Sequence, residues 1–113
     1  MAGMTSEIVK AYMDAPIDGF VRIENAAGPF VLAFTLNYKF QGQDISNRNG
    51  DVTIGMYKSS PIPSGAIDIV LTVIDFWGFG WSTIFTKNWK GPIRFAAKIW
   101  STALGSRWEE VPA

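Results

Sequence analysis

Residues 31–40 read Val31-Leu32-Ala33-Phe34-Thr35-Leu36-Asn37-Tyr38-Lys39-Phe40. Leu32, Phe34, Leu36, Tyr38 and Phe40 fall on one side of an extended chain, and Ala33, Thr35, Asn37 and Lys39 on the other. Successive side chains of a strand point to opposite faces, so this stretch predicts a strand with one buried face. The alternation recurs on both sides of it. Ile17, Gly19, Val21 and Ile23 alternate with Asp18, Phe20, Arg22 and Glu24, and Val52, Ile54 and Met56 form a further run. Ile67, Ile69, Leu71 and Val73 share a face, and Val70 and Ile74 opposite them are apolar too, which predicts a strand covered on both sides. Ile93, Phe95, Ala97 and Ile99 alternate with Arg94, Lys98 and Trp100. Shorter strands are expected at residues 83–86 and 108–111.

Turn formers separate these runs: Gly28-Pro29, Gln41-Gly42-Gln43, Asn47-Arg48-Asn49-Gly50, the group Pro61, Pro63 and Gly65, then Gly91-Pro92 and Gly105-Ser106. About seven short strands at this spacing predict an all-β fold, an antiparallel β-sandwich. Residues 5–14 differ. Thr5 or Ser6 can cap a helix, Ile8, Val9, Tyr12 and Met13 give it a narrow apolar stripe, and Pro16 ends it. The expected organisation is an N-terminal helical segment over residues 1–16 and a β-sandwich domain over residues 17–113.

At 113 residues the chain has room for one domain, and with 48% hydrophobic and 14% aromatic residues it can bury a core. Ten Lys and Arg balance ten Asp and Glu, against the positive surplus that nucleic-acid binding needs. The charge is unevenly placed, because every charged residue from Lys87 to Arg107 is basic: Lys87, Lys90, Arg94, Lys98 and Arg107. This is either a solvated strand face or a patch that attracts an anionic surface such as lipid headgroups. The N-terminal stretch shows no apolar core of a signal peptide, which predicts cytoplasmic synthesis, with any release by lysis or an unconventional route.

Enzyme chemistry has little to work with. There is no Cys and no His, which removes thiol nucleophiles, the commonest general base and the commonest metal ligand. Glu109 and Glu110 are adjacent and point to opposite faces of a strand, and Asp68 and Asp75 stand at opposite ends of one run. The carboxylates read as solvated or turn residues. No nucleophile elbow, phosphate loop or calcium loop is present. The expectation is a non-enzymatic protein with no metal and no cofactor.

The most distinctive local feature is Asp75-Phe76-Trp77-Gly78-Phe79-Gly80-Trp81, which gathers four of the sixteen aromatic residues around two glycines. The glycines favour a loop, or a strand end with a bulge, over a regular strand. Rings in such a loop either fold inward to plug the end of the sandwich or form an exposed binding surface. Trp suits a membrane interface, where its ring meets acyl chains while its N–H stays hydrated.

The stretch from Asn25 to Val111 resembles the C-terminal membrane-binding domain of the cholesterol-dependent, thiol-activated cytolysins. Asn25-Ala26-Ala27-Gly28-Pro29-Phe30-Val31-Leu32-Ala33-Phe34 is similar to the family's opening strand GAYVAQF. Ile62-Pro63-Ser64-Gly65-Ala66 followed by Ile67-Asp68-Ile69 resembles its IP…A…I-I run. Phe76 to Phe85, with Trp81 and Thr83-Ile84, stands where the family carries the Trp-rich undecapeptide ECTGLAWEWWR and the TI after it. Pro92 and Ile99-Trp100-Ser101-Thr102-Ala103-Leu104 resemble P…IWGTTLYP. The order of the blocks is more specific than any one of them. There are departures. Val73 or Ile74 occupies the neighbourhood of the undecapeptide Cys, Ser82 stands for its Arg, and Ala103-Leu104 stands for the Thr-Leu pair that recognises cholesterol. The pore-forming domains have no counterpart in the chain.

The resemblance implies a stand-alone β-sandwich that binds a membrane or lipid surface, sterol included, as a toxin or defence component. Its contact residues would be Phe76, Trp77, Phe79, Trp81, Thr102, Ala103 and Leu104, with Lys87, Lys90 and Arg107 as supporting basic groups. One alternative is a lectin-like protein for cell-surface glycans, in which rings stack on sugars and Asp75, Asn88 and Arg107 bind hydroxyls. The other is a self-associating structural protein, a homo-oligomer paired through the 5–14 helix.

Overall fold

The computed structural model describes residues 6–28, 30–76, 78–102 and 105–113, and of Thr102 the backbone only. Helix α1 (Ser6–Asp14) precedes eight strands: β1 (Ile17–Ala27), β2 (Val31–Phe40), β3 (Gln43–Val52), β4 (Tyr57–Pro63), β5 (Ile67–Phe76), β6 (Trp81–Trp89), β7 (Arg94–Thr102) and β8 (Gly105–Val111). They form two four-stranded sheets, ordered β4-β1-β7-β8 and β3-β2-β5-β6. Pairing is antiparallel apart from β1 with β7, which run parallel. No hairpin joins those two strands, so nothing forces them to oppose. The β-sandwich expected from the alternation is the observed architecture.

The inward faces supply the core. Val21 and Ile23 of β1 and Phe95, Ala97 and Ile99 of β7 face Leu32, Phe34, Leu36, Tyr38 and Phe40 of β2 and Ile69, Leu71 and Val73 of β5, all buried. One side of the sandwich is closed by rings: Phe85 of β6 stacks on Trp108 of β8 at 4.1 Å, and Trp89 lies 5.2 Å from Phe95. Helix α1 leans on the core through Ala11 and Tyr12. The Tyr12 ring meets Phe40 edge-on at 5.4 Å, and its hydroxyl shares a 2.8 Å hydrogen bond with that of Tyr38.

Several expected details differ. Val52, Ile54 and Met56 do not form one strand. β3 ends at Val52, the Met56 N–H closes a turn on the Thr53 carbonyl at 2.9 Å, and Gly55 takes a φ of 80° there. Asn47-Arg48-Asn49-Gly50 lies within β3 instead of forming a turn. β3 is an edge strand whose inward contacts come from Ile45 and Val52, so polar residues between them cost it little. Pro61 and Pro63 lie within β4, an edge strand paired only to β1, where a missing N–H is tolerated. Ile17 is exposed because the register shifts between Ile17 and Gly19. Val70 and Ile74 of β5 are half-buried, since their face is the outer face of a two-layer fold.

Candidate functional site

β1, β3, β5 and β7 run toward one end of the sandwich, and β2, β4, β6 and β8 run back from it. The register fixes this: Leu32 pairs with both Val52 and Asp75, Asp75 pairs with Ser82, and Thr102 pairs with Gly105. The β1–β2, β3–β4, β5–β6 and β7–β8 connections therefore share that end.

Asn25 organises much of it. It is fully buried, and its side-chain amide donates to the carbonyls of Phe30 at 2.9 Å and Val52 at 3.1 Å. Its own N–H donates to the Met56 carbonyl at 2.9 Å, and its carbonyl accepts from Gly55 at 2.8 Å. One residue thus ties the β1–β2 connection and the β3–β4 turn to the core. Gly28 brings the loops closer still, with a φ of 110° and its Cα hard against β7.

Asp75 is the second tie. Read from sequence as a solvated or turn carboxylate, it is only 5% exposed. Its Oδ1 accepts from the Ser82 hydroxyl and its Oδ2 from the Ser106 hydroxyl, each at 2.7 Å. Ser106 belongs to the opposite sheet, so this carboxylate latches the two layers where the loops leave them. Hydrogen bonding replaces the water that a buried carboxylate loses. Ser82, which stands where the resemblance puts the family's Arg, directs its hydroxyl to this latch.

The described rings of the aromatic stretch, those of Phe76, Phe79 and Trp81, do not fold into the core. Phe79 is 89% exposed, Phe76 39% and Trp81 42%. Phe76 and Trp81 lean together with centroids 5.1 Å apart, and the Arg48 guanidinium stands 5.0 Å over the Trp81 ring. The neighbouring turn adds Ile54 and Met56, expected on a strand face but exposed, Ile54 by 62%, and Tyr57 at the start of β4 is exposed as well. Gly55 between Ile54 and Met56 was the available signal for a turn tip.

The expected site residues are brought together in part. Phe76, Phe79, Trp81 and the backbone of Thr102 lie at the loop end; Trp77, Ala103 and Leu104 fall outside the described residues. Arg107 lies near this end, its guanidinium 4.6 Å over the Trp100 ring. Lys87 is instead on the ring-closed side of the sandwich, 5.3 Å over Trp108, and Lys90 follows β6 at the far end. Lys98 is paired with Glu24 at 3.9 Å. The late basic residues are thus spread over different surfaces rather than gathered on one. Among the described residues no group of carboxylates is arranged to hold a metal ion.

No family model matches the chain, and no curated protein does. Solved structures do. The membrane-binding domain of pneumolysin superimposes with a TM-score of 0.60 at 16% identity, covering 84% of this chain and 96% of that domain. Intermedilysin, solved as a disulfide-locked mutant with human CD59, matches with a TM-score of 0.57 at 17% identity, over 85% of this chain and 24% of that one. Listeriolysin O gives 0.56 at 15% identity, over 84% and 22%. The chain therefore spans about a quarter of the full-length toxins it matches, and in that span it has the β-sandwich fold of the cholesterol-dependent cytolysins' membrane-binding domain.

Proposed function

We propose that this chain binds membrane surfaces, with the loop end as its contact face. One observation carries the reading. Ile54, Met56, Phe76, Phe79 and Trp81 are exposed together at one end of a sandwich whose fold is that of a membrane-binding domain. An apolar patch held out by a rigid frame loses water when it enters the headgroup and acyl boundary. Full burial of a Phe or Ile side chain contributes about 1.5–3 kcal/mol. Three or four such side chains contribute about 4.5–12 kcal/mol before the cost of association and ordering is subtracted. The proposal covers membrane contact alone and does not extend to pore formation by the longer toxins.

The test is to place a charge at the tips. Ile54→Asp and Phe79→Asp, made singly, are expected to weaken vesicle binding at least tenfold while unfolding shifts by no more than about 0.5 kcal/mol, since neither side chain belongs to the core. Unchanged vesicle binding by both variants would overturn the reading.

A further inference from the structure

Beside the loop tips, on the outer face of the β3-β2-β5-β6 sheet, lies a depression of about 380 Å³ lined by Val31, Asp51, Thr53, Phe76 and Trp81. We propose that it holds the choline headgroup of a zwitterionic membrane lipid. This rests on the membrane-surface reading and names the headgroup. The two rings, tilted 43° to each other, make adjoining aromatic walls. A quaternary ammonium cannot donate a hydrogen bond, and it is held by aromatic faces and a nearby carboxylate. Asp51 supplies that carboxylate. It sits at a φ of 47°, a left-handed conformation that Asp and Asn tolerate, and forms no ion pair among the described residues. Arg48, on the same strand and over the Trp81 ring, is also without an ion pair among the described residues, leaving guanidinium N–H groups for the phosphate. The depression thus offers aromatic walls and one negative group, and Arg48 beside it a positive one, to a ligand with the reverse charges.

The depth fits as well. Thr53 and Asp51 precede Ile54 by one and three residues, and Phe76 and Trp81 flank Phe79 in the chain. At about 3.3 Å per residue, the depression lies within roughly 10 Å of the tips. That is where headgroups stand when the tips reach the acyl boundary. Global charge agrees: the chain has no net charge, and its late basic residues are dispersed, so nothing favours an anionic surface over a zwitterionic one.

The experiment compares vesicles of phosphatidylcholine, phosphatidylethanolamine and phosphatidylglycerol, with and without soluble phosphocholine, for the wild type and for Asp51→Asn. Asn keeps the left-handed backbone, and a circular dichroism spectrum checks the fold. Binding to phosphatidylcholine at least tenfold tighter than to the other two is expected. Millimolar phosphocholine should release the protein, and Asp51→Asn should lose the preference. Equal binding to all three lipids would overturn the headgroup site and leave the membrane reading standing. Failure to bind any vesicle would overturn the membrane reading, and phosphocholine-induced quenching of Trp fluorescence would then show the pocket to be a site for the soluble ligand, contradicting the lipid assignment. An Asp51→Asn variant that folds and keeps the full preference would also overturn it.

Discussion

Asn25 and Gly28 decide how close the loops of the two sheets come. Removing the buried Asn25 amide would leave two carbonyls, those of Phe30 and Val52, without their donor. Gly28 makes a sharper case, because a Cβ there would fall 1.6 Å from the Ser101 carbonyl oxygen, in a backbone conformation of positive φ. Neither the strand nor the turn can yield without breaking its pairing. Gly28→Ala is therefore expected to destabilise the fold by about 3 kcal/mol or more, read from the denaturant midpoint. Gly78→Ala, which also has a positive φ but meets nothing within 4 Å, should cost about 1–2 kcal/mol, the strain alone. Equal losses at both positions would remove the close approach as the cause. At this scale the sequence was only partly readable. Gly28-Pro29 announced a turn, yet nothing local told that Asn25, in line with the apolar face of β1, would be buried as a hub. Nor did anything tell that Asp75 would face two serines, since one of them, Ser106, is distant in sequence.

Among the elements, β2 was the most legible because large apolar residues alternate with smaller or polar ones, and all five expected inward side chains are buried, although Ala33 on the other face is buried too. β3 and β4 were not. As edge strands they need an inward face and one neighbour, and they accept Asn, Gly and Pro that a central strand excludes, so their composition imitates turns. The Ile54 and Met56 pattern misled for the opposite reason: apolar residues two apart also suit the tip of an exposed turn. Helix α1 was visible from its sequence, but Val9 and Met13 of the expected stripe are exposed and it docks through Ala11 and Tyr12. Tyr12→Ala, which removes the edge-on contact with Phe40 and the hydroxyl partner of Tyr38, is expected to cost about 2 kcal/mol, less than a fully buried ring. The same contact gives a pH signature. Burial, and next the hydrogen bond with Tyr12, hold the Tyr38 phenol well above its ordinary 10.0. A raised pKa means the folded state holds the proton more tightly, so this stability is complete below pH 10 and is lost as pH rises beyond it. Wild-type protein should lose stability more steeply above pH 10 than Tyr38→Phe. Parallel pH curves for the two would contradict this assignment.

Across the whole molecule, the sandwich frame and the loop end divide the work. The frame is latched by Asp75, Asn25 and the stacked pair Phe85–Trp108, and four connections leave it at one end. The class of fold was legible because period-two alternation survives in every central strand, and the family that the sequence blocks resemble is the one whose solved structures share this fold at only 15–17% identity. The extent of the exposed end was less legible: the Phe76–Trp81 stretch was visible from its rings, while Ile54, Asp51 and Arg48 join it only through the pairing of β3 with β2. The most direct test of the account is co-sedimentation of the intact protein with liposomes, with and without sterol, reading Trp emission in the same tubes. The protein is expected to pellet with phosphatidylcholine-containing liposomes, its emission shifting to the blue as Trp81 leaves water. Protein that stays in the supernatant with unchanged emission at every composition would contradict it.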